Sequence, residues 1–167
     1  MVTPFRIGIG FDAHRLVENR PLILGGVTID YHRGLLGHSD ADVLTHVIID
    51  ALIGAADLGS IGLLFPDSDP QYKGVASTTL LQQVVAKVRS KGFEIGNVDS
   101  VIVAQAPKLM PFRDEMKKNL AAIMAISTTD ISIKATTTET LGFEGQGDGI
   151  SAHAVALIVA HEHRQNR

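Results

Sequence analysis

Cysteine and tryptophan are missing from this chain of 167 residues, and aromatic residues make up only 5% of it. Without cysteine there is no disulfide framework and no thiolate metal site, so any metal must be held by nitrogen and oxygen donors. A surplus of positive charge is missing too. The formal net charge is −3, which argues against a nucleic-acid partner, because a polyanion binder carries a basic footprint. No apolar run reaches the ~20 residues of a membrane span. The Met-Val-Thr-Pro start also lacks the basic flank and apolar core of a signal peptide. A cytoplasmic protein is expected, with neither nucleic acid nor membrane as partner.

What is present is ordinary for a globular protein: 45% hydrophobic and 20% charged residues, enough for one domain over residues 1–167 with a proper core. A small anionic ligand is compatible with this charge, but the few lysines would then need help. A divalent metal is the obvious source of it.

Phe5-Arg6-Ile7-Gly8-Ile9-Gly10-Phe11 alternates with period two, apolar at the odd positions, which predicts a strand with one packed face. Its glycines suggest close backbone approach. Leu22-Ile23-Leu24 and Val27-Thr28-Ile29 flank Gly25-Gly26 as a small hairpin. Ser39 with Asp42 resembles a capping box, opening a helix through Val43, Val47, Ile48, Ala51 and Leu52. From Gly59 to Gly74 periodicity disappears, which indicates a functional lid rather than disorder, given its Leu, Phe and Tyr. A second helix is expected from about Ser77, and a third after Pro111. Val98 to Ala106 and Ile131 to Ala135 read as strands. Ile150 to Ala160 is nearly continuous apolar, open to buried helix or strand, and the alternation of Val155, Leu157 and Val159 with small residues favours strand. The sum is an α+β fold: a two-layer domain, a mixed β-sheet with three main helices on one face. The last strand is apolar on both sides, so one sheet face needs another subunit to cover it.

Chemistry concentrates in Gly10-Phe11-Asp12-Ala13-His14 and in His38-Ser39-Asp40-Ala41-Asp42 through to His46. Asp12 and His14 are two apart and leave the same face of an extended segment. One carboxylate and two imidazoles are the donors of a catalytic zinc site, in which three protein ligands leave a fourth position for substrate. A lone helical histidine is more often solvated than ligating. His46, however, lies one position off the apolar stripe, with Asp42 and Asp50 a turn away, and Asp50 is placed to hold its tautomer. Ser39 reads as a helix cap, and the N–H groups of such a helix end also form an anion site to which His38 could donate. Phe65-Pro66-Asp67-Ser68-Asp69 is an ordinary turn or a set of acceptors for substrate hydroxyls. Lys108, beyond the strand-breaking Pro107, is an exposed lysine or a phosphate contact. Thr136-Thr137-Thr138-Glu139 is a polar turn or the rim of a site.

Together these segments resemble the 2-C-methyl-D-erythritol 2,4-cyclodiphosphate synthases of the non-mevalonate isoprenoid pathway. The matching elements also include Leu64-Phe65-Pro66-Asp67-Ser68-Asp69-Pro70, Gln105-Ala106-Pro107-Lys108, and Lys134-Ala135-Thr136-Thr137-Thr138-Glu139 with Leu141-Gly142-Phe143. They span essentially the whole chain in family order. The resemblance implies a single catalytic domain that cyclises 4-diphosphocytidyl-2-C-methyl-D-erythritol 2-phosphate and releases CMP. It implies that Asp12, His14 and His46 hold Zn2+, and that Glu139 holds a second divalent cation, Mg2+ or Mn2+. His38 and Thr137 match residues that steady the transition state. Substrate contacts are implied for Ser39, Gly62, Asp67 and Asp69, for Ala104, Ala106, Pro107, Lys108 and Met110, and for Ala135, Thr136, Thr137 and Phe143. The family is similar in being homotrimeric, with sheets packed at the trimer core and active sites between subunits.

The chain also departs from the family. Ser60 stands where many members carry an aspartate, Gln146 where some carry an arginine, and His153 where those carry a glutamate. That pair lies toward a central trimer cavity that holds an isoprenoid diphosphate. Losing a bidentate cation there predicts weak binding of such an effector. Two rival readings are a zinc-dependent phosphohydrolase, with water as nucleophile, and a non-catalytic metal- or nucleotide-binding module.

Overall fold

The computed structural model describes residues 3–66 and 68–161. The alternating first segment becomes a long strand, β1 (Phe5–Glu18), which continues through Asp12 and His14. Leu22–Leu24 (β2) and Val27–Ile29 (β3) form the expected hairpin. Its turn residues, Gly25 and Gly26, have φ of 58° and 72°, the paired positive angles that a two-residue hairpin turn demands. Arg33–Leu35 (β4), Phe93–Val103 (β5), Ile131–Thr136 (β6) and Gly149–Ala160 (β7) are the remaining strands. The main sheet runs β4-β1-β7-β5-β6. Only β5 and β6 are parallel, so the sheet is mixed, as the sequence predicts.

There are five α-helices in the described residues rather than three. The long ones, α1 (Val43–Ala55), α3 (Ser77–Ser90) and α4 (Arg113–Met124), are those the periodicity finds. The other two, α2 (Ile61–Leu64) and α5 (Gly142–Gly145), are four residues each, too short to show a helical period. The aperiodic stretch after Gly59 therefore has structure: α2, then a 3₁₀ turn at Pro70–Tyr72. Phe65 is buried there and meets the Tyr72 ring edge-on at 5.3 Å. Asp67 lies outside the described residues.

The alternation of β1 is real, but its packed face is the opposite of the expected one. Ile7 and Ile9 are each 70% exposed, with Phe5 and Phe11 beside them, whereas Gly8 and Gly10 are buried. A Cβ at Gly8 would stand 1.9 Å from the Ala51 carbonyl oxygen, and one at Gly10 would stand 2.0 Å from that of Val47. The glycines thus let α1 lie directly on the strand, one residue from His46. Ten of the thirteen α1 residues are buried, because β1 and β7 flank one side and α3 the other. Beneath the helices, Ile150, Ala152, Ala154, Ala156 and Ile158 of β7 join the same core. His153 and Val155 point the other way, onto the open apolar face with Phe11 and Ile9.

Candidate active site

The same-face rule for Asp12 and His14 holds, and the close approach of α1 brings His46 to them. Asp12 Oδ2 is 2.9 Å from His14 Nε2 and 2.9 Å from His46 Nδ1, and the two ring nitrogens are 3.1 Å apart. Three ligand atoms from three residues therefore converge within 4.8 Å of one another, the one such cluster of three or more among the described residues. Each imidazole is aimed from behind. His14 donates its Nδ1–H to the Leu36 carbonyl at 2.8 Å, which leaves Nε2 facing the cluster. His46 presents the opposite nitrogen, and its Nε2 lies 3.0 Å from Ser39 Oγ and 2.9 Å from Ser77 Oγ.

Electrostatics reinforce the cluster. Burial pushes the Asp12 carboxyl up, but hydrogen bonds and charge from His14 and His46 outweigh it and hold the group well below the usual carboxylate range. Burial pulls His14 down. The Asp12 hydrogen bond and charge, with the Leu36 carbonyl, more than reverse this and raise it, against a smaller opposing effect of Arg20. Two imidazoles and an ionised carboxylate in one place could hold a cation.

Two sequence assignments are corrected here. Asp50 does not hold His46; its carboxylate turns to the Ile61 N–H at 3.4 Å, where α2 begins. Ser39 is not the cap of α1. That role falls to Asp42, which accepts from Thr45 N–H at 2.9 Å, while Ser39 Oγ accepts from Ala41 N–H at 3.1 Å. Residues that share a helical face or precede a helix were good candidates for both jobs, but the tight turn at Ala41, with φ of 58°, rotates Ser39 toward His46 instead.

A cavity of about 250 Å³ opens on the cluster, lined by Asp12, His14, His38, Ser39, His46 and Gly62, with Phe65, Tyr72 and Leu80 as apolar walls. His38 Nε2 is buried there without a hydrogen-bond partner among the described residues. Asp69 is spent on its own turn, accepting from Gln71 N–H at 3.0 Å. Ser60 precedes α2 without a side-chain cap bond.

A second cavity, about 510 Å³, is lined by Ala104, Pro107, Lys108, Met110, Ala135, Thr136 and Thr137. The strand β5 ends earlier than predicted, at Val103, and the chain leaves it through a cis Ala106–Pro107 bond. Among the described residues none lines both cavities. Glu139 accepts from Thr137 Oγ1 at 2.8 Å and stays outside the Asp12 cluster. Phe143 faces a third opening, shared with His14 and Arg15.

Sequence reasoning missed two residues that shape the metal-side cavity. Arg20 clamps its loop by donating to the carbonyls of Gly37 and Ser39 at 3.2 and 3.1 Å. Ser77 meets His46 across 31 positions of sequence. Neither belongs to a motif, so nothing local marks them.

Comparison with known proteins points to one family. The model of the YgbB family matches residues 5–159. The 2-C-methyl-D-erythritol 2,4-cyclodiphosphate synthase of Clostridium acetobutylicum is 57% identical over 154 residues, 92% of this chain and 99% of that protein. Among solved structures, the bifunctional IspDF from Campylobacter jejuni superposes with a TM-score of 0.90 at 45% identity, over 93% of this chain and 42% of that one. A CDP complex of IspF from Plasmodium falciparum gives a TM-score of 0.83 at 34% identity, over 96% and 99% of the two chains.

Proposed function

The chain belongs to the YgbB family, and on that footing we propose that it catalyses the reaction for which these relatives are named. It converts 4-diphosphocytidyl-2-C-methyl-D-erythritol 2-phosphate to 2-C-methyl-D-erythritol 2,4-cyclodiphosphate with release of CMP, as a phosphorus–oxygen lyase of non-mevalonate isoprenoid synthesis. An oxygen of the substrate's own 2-phosphate attacks the β-phosphorus. A new P–O bond forms there, the bond from that phosphorus to the bridging oxygen breaks, and CMP carries the bridging oxygen away. No activated serine or cysteine is required, in keeping with a chain that has no cysteine.

The observation that carries the reading is the convergence of Asp12, His14 and His46 in one cavity with His38 and Ser39. Two imidazoles and a carboxylate, with no fourth side chain in the cluster among the described residues, suit a catalytic zinc ion with an open position. Zinc bound there would supply Lewis acidity and offset the repulsion between two anionic phosphates. Glu139 would hold the second divalent ion, magnesium or manganese. The protein's own part is positioning: His38 and Ser39 receive phosphate oxygens beside the cluster, Gly62 and Asp67 border the methylerythritol, and Thr137 steadies the transition state. Holding attacking oxygen and phosphorus in line can contribute about 7–11 kcal/mol. The Plasmodium falciparum neighbour is a CDP complex. The cavity of Ala104 to Met110 and Ala135 to Thr137, whose residues match the family's nucleotide contacts, is assigned to the cytidine diphosphate end.

Three copies assemble, on this reading, through the open sheet face of Phe5, Ile7, Ile9, Phe11 and Val155. A contiguous apolar surface of that kind calls for a partner. It also explains why the two cavities are separate within one chain: each active site joins the metal side of one copy to the nucleotide side of its neighbour. With Gln146 and His153 in place, an isoprenoid diphosphate binds the centre of that assembly weakly.

Purified protein incubated with the cytidyl substrate, zinc and magnesium should yield CMP and cyclic diphosphate in equal amounts by phosphorus NMR. Inorganic phosphate or a linear product would instead establish a phosphohydrolase. Sedimentation should give three chains, and Ile9→Asp should give one.

A further inference from the structure

The reaction leaves unexplained a chain of hydrogen bonds behind His46. Its Nε2 points away from the cluster, to Ser77 Oγ at 2.9 Å and Ser39 Oγ at 3.0 Å. Behind Ser77 stands Asp40. The Ser77 hydroxyl donates to Asp40 Oδ1, and the Ser77 backbone N–H donates to Oδ2 at 3.0 Å. Asp42 N–H holds the same carboxylate at 3.2 Å. Ser77 is fully buried, and it is the first residue of α3, so two helices and a loop meet at this one hydroxyl.

We propose that Asp40 and Ser77 are positioning residues, a relay that fixes His46 with its hydrogen on Nε2 and the lone pair of Nδ1 turned toward Asp12 and His14. The proposal rests on the metal-centre reading above and adds what sets the donor state of one ligand.

The direction of each hydrogen follows from what the groups can do. A carboxylate only accepts, so the Ser77 hydrogen goes to Asp40. The Ser77 oxygen then faces His46 as an acceptor, which requires hydrogen on Nε2. A neutral imidazole protonated there has its lone pair on Nδ1, the form that binds a cation. Asp12 Oδ2, 2.9 Å from Nδ1, competes for that hydrogen when no cation is bound, and the relay draws it to Nε2. Ser39 alone would be ambivalent, because a free hydroxyl can donate to Nε2 as readily as accept from it. Ser77 is not ambivalent, because Asp40 has taken its hydrogen. The Ser39 oxygen accepts from His46 and from Ala41 N–H, and its own hydrogen can go to Ser77 Oγ at 3.4 Å, whose hydrogen Asp40 has taken. One carboxylate thus orders both hydroxyls and, through them, turns His46 Nδ1 toward the cation.

Two readouts test this on the metal-free full chain: zinc affinity by competition with a chromophoric chelator, and the ring nitrogen shifts of His46 by ¹⁵N NMR. Ser77→Ala should weaken zinc about tenfold, the lower end for an outer partner of a metal-bound histidine, because Ser39 remains. Asp40→Asn should weaken it similarly, and the double variant should lose no more than Ser77→Ala, since the carboxylate acts through the hydroxyl. Ser77→Thr, which keeps the hydroxyl, should restore affinity. In metal-free Ser77→Ala and Asp40→Asn the His46 hydrogen should move from Nε2 toward Nδ1, where Asp12 accepts it, a change that mere loss of helix capping would not produce. Unchanged nitrogen shifts, or zinc losses that add independently, would overturn the relay. If Ser77→Ala does not fold, Asp40→Asn alone carries both readouts. Wild-type zinc affinity in His46→Ala would instead defeat the metal-centre reading, and the relay would then be judged on the nitrogen shifts of the wild type and Asp40→Asn.

Discussion

The two cavities of this chain are built on different plans. Around Asp12, His14 and His46 both imidazoles are held from behind, by the Leu36 carbonyl and the hydroxyls of Ser39 and Ser77, and Arg20 clamps the adjoining loop. Around the second cavity the polar and long side chains face solvent: Met110 is 52% exposed, Thr136 and Thr137 are exposed, and Lys108 has no hydrogen-bond or ion-pair partner among the described residues. Preorganisation is concentrated where charge must be placed to within tenths of an ångström. The other end is a rim, suited to gripping a ligand that brings its own rigidity.

The largest test of that difference is removal of the carboxylate that the two imidazoles share. Asp12→Ala should abolish metal binding at the cluster and lower kcat by on the order of a thousandfold or more, since a metal's contribution to transition-state stabilisation is several kcal/mol. Product formation measured by phosphorus NMR, beside metal content, would check it. Turnover surviving without the metal would erase the distinction between the cavities.

Next comes the packing that delivers His46. Gly10→Ala places a methyl group 2.0 Å from the Val47 carbonyl, against backbone that cannot rotate away. The helix must shift, and His46, the preceding residue, must shift with it. A loss of about 3 kcal/mol or more in urea denaturation is expected, together with weaker zinc binding. Stability lost without any loss of zinc affinity would mean that strand and helix do not set the cluster's geometry.

How far the sequence reveals these features depends on whether a pattern is local. Asp12 and His14 could be read because strand geometry alone puts i and i+2 on one side. The Gly25-Gly26 hairpin could be read because its turn admits few residues. Periodicity in β1 identified which residues share a face but not which face meets the core, and the larger, more apolar side proved to be the open one. Ser77 and Arg20 act across the fold and leave no local trace. Asp50 is a true helical neighbour of His46, yet it faces α2, because the direction of a side chain depends on what surrounds it. The cation donors and the family's motifs were therefore legible, while the residues that aim them were not.

A smaller effect is expected at the nucleotide rim. Lys108→Ala should raise KM about tenfold and change kcat little, since a single charge-assisted hydrogen bond contributes about 1.5–3 kcal/mol and would act on bound substrate and transition state alike. Steady-state kinetics would separate the two constants. A drop in kcat comparable to that of Asp12→Ala would show that the rim, too, takes part in chemistry.

The smallest effect sits under the metal-side cavity, at Asp42. Its carboxylate is fully buried and accepts four hydrogen bonds: Gly25 N–H at 2.9 Å, Gly26 N–H at 2.8 Å, Thr45 N–H at 2.9 Å and Thr45 Oγ1 at 2.7 Å. It thereby ties the β2–β3 turn to the start of α1. Burial pushes this carboxyl above its ordinary value, and the donors from Thr45, Gly26 and Gly25 pull it back without cancelling the rise. The folded chain therefore takes up this proton at a higher pH than the unfolded chain does. Between the unfolded and the raised folded values the folded state holds more protons, so this group's contribution to stability grows as pH falls through that window and shrinks as pH rises. Asp42→Asn does not titrate and serves as the reference. The stability gap between wild type and Asp42→Asn, from urea midpoints at several pH values below neutrality, should widen as the solution is made more acidic. A gap that narrows instead would mean that the four donors outweigh burial. The loop beneath the cluster would then be held mainly by an ionised carboxylate.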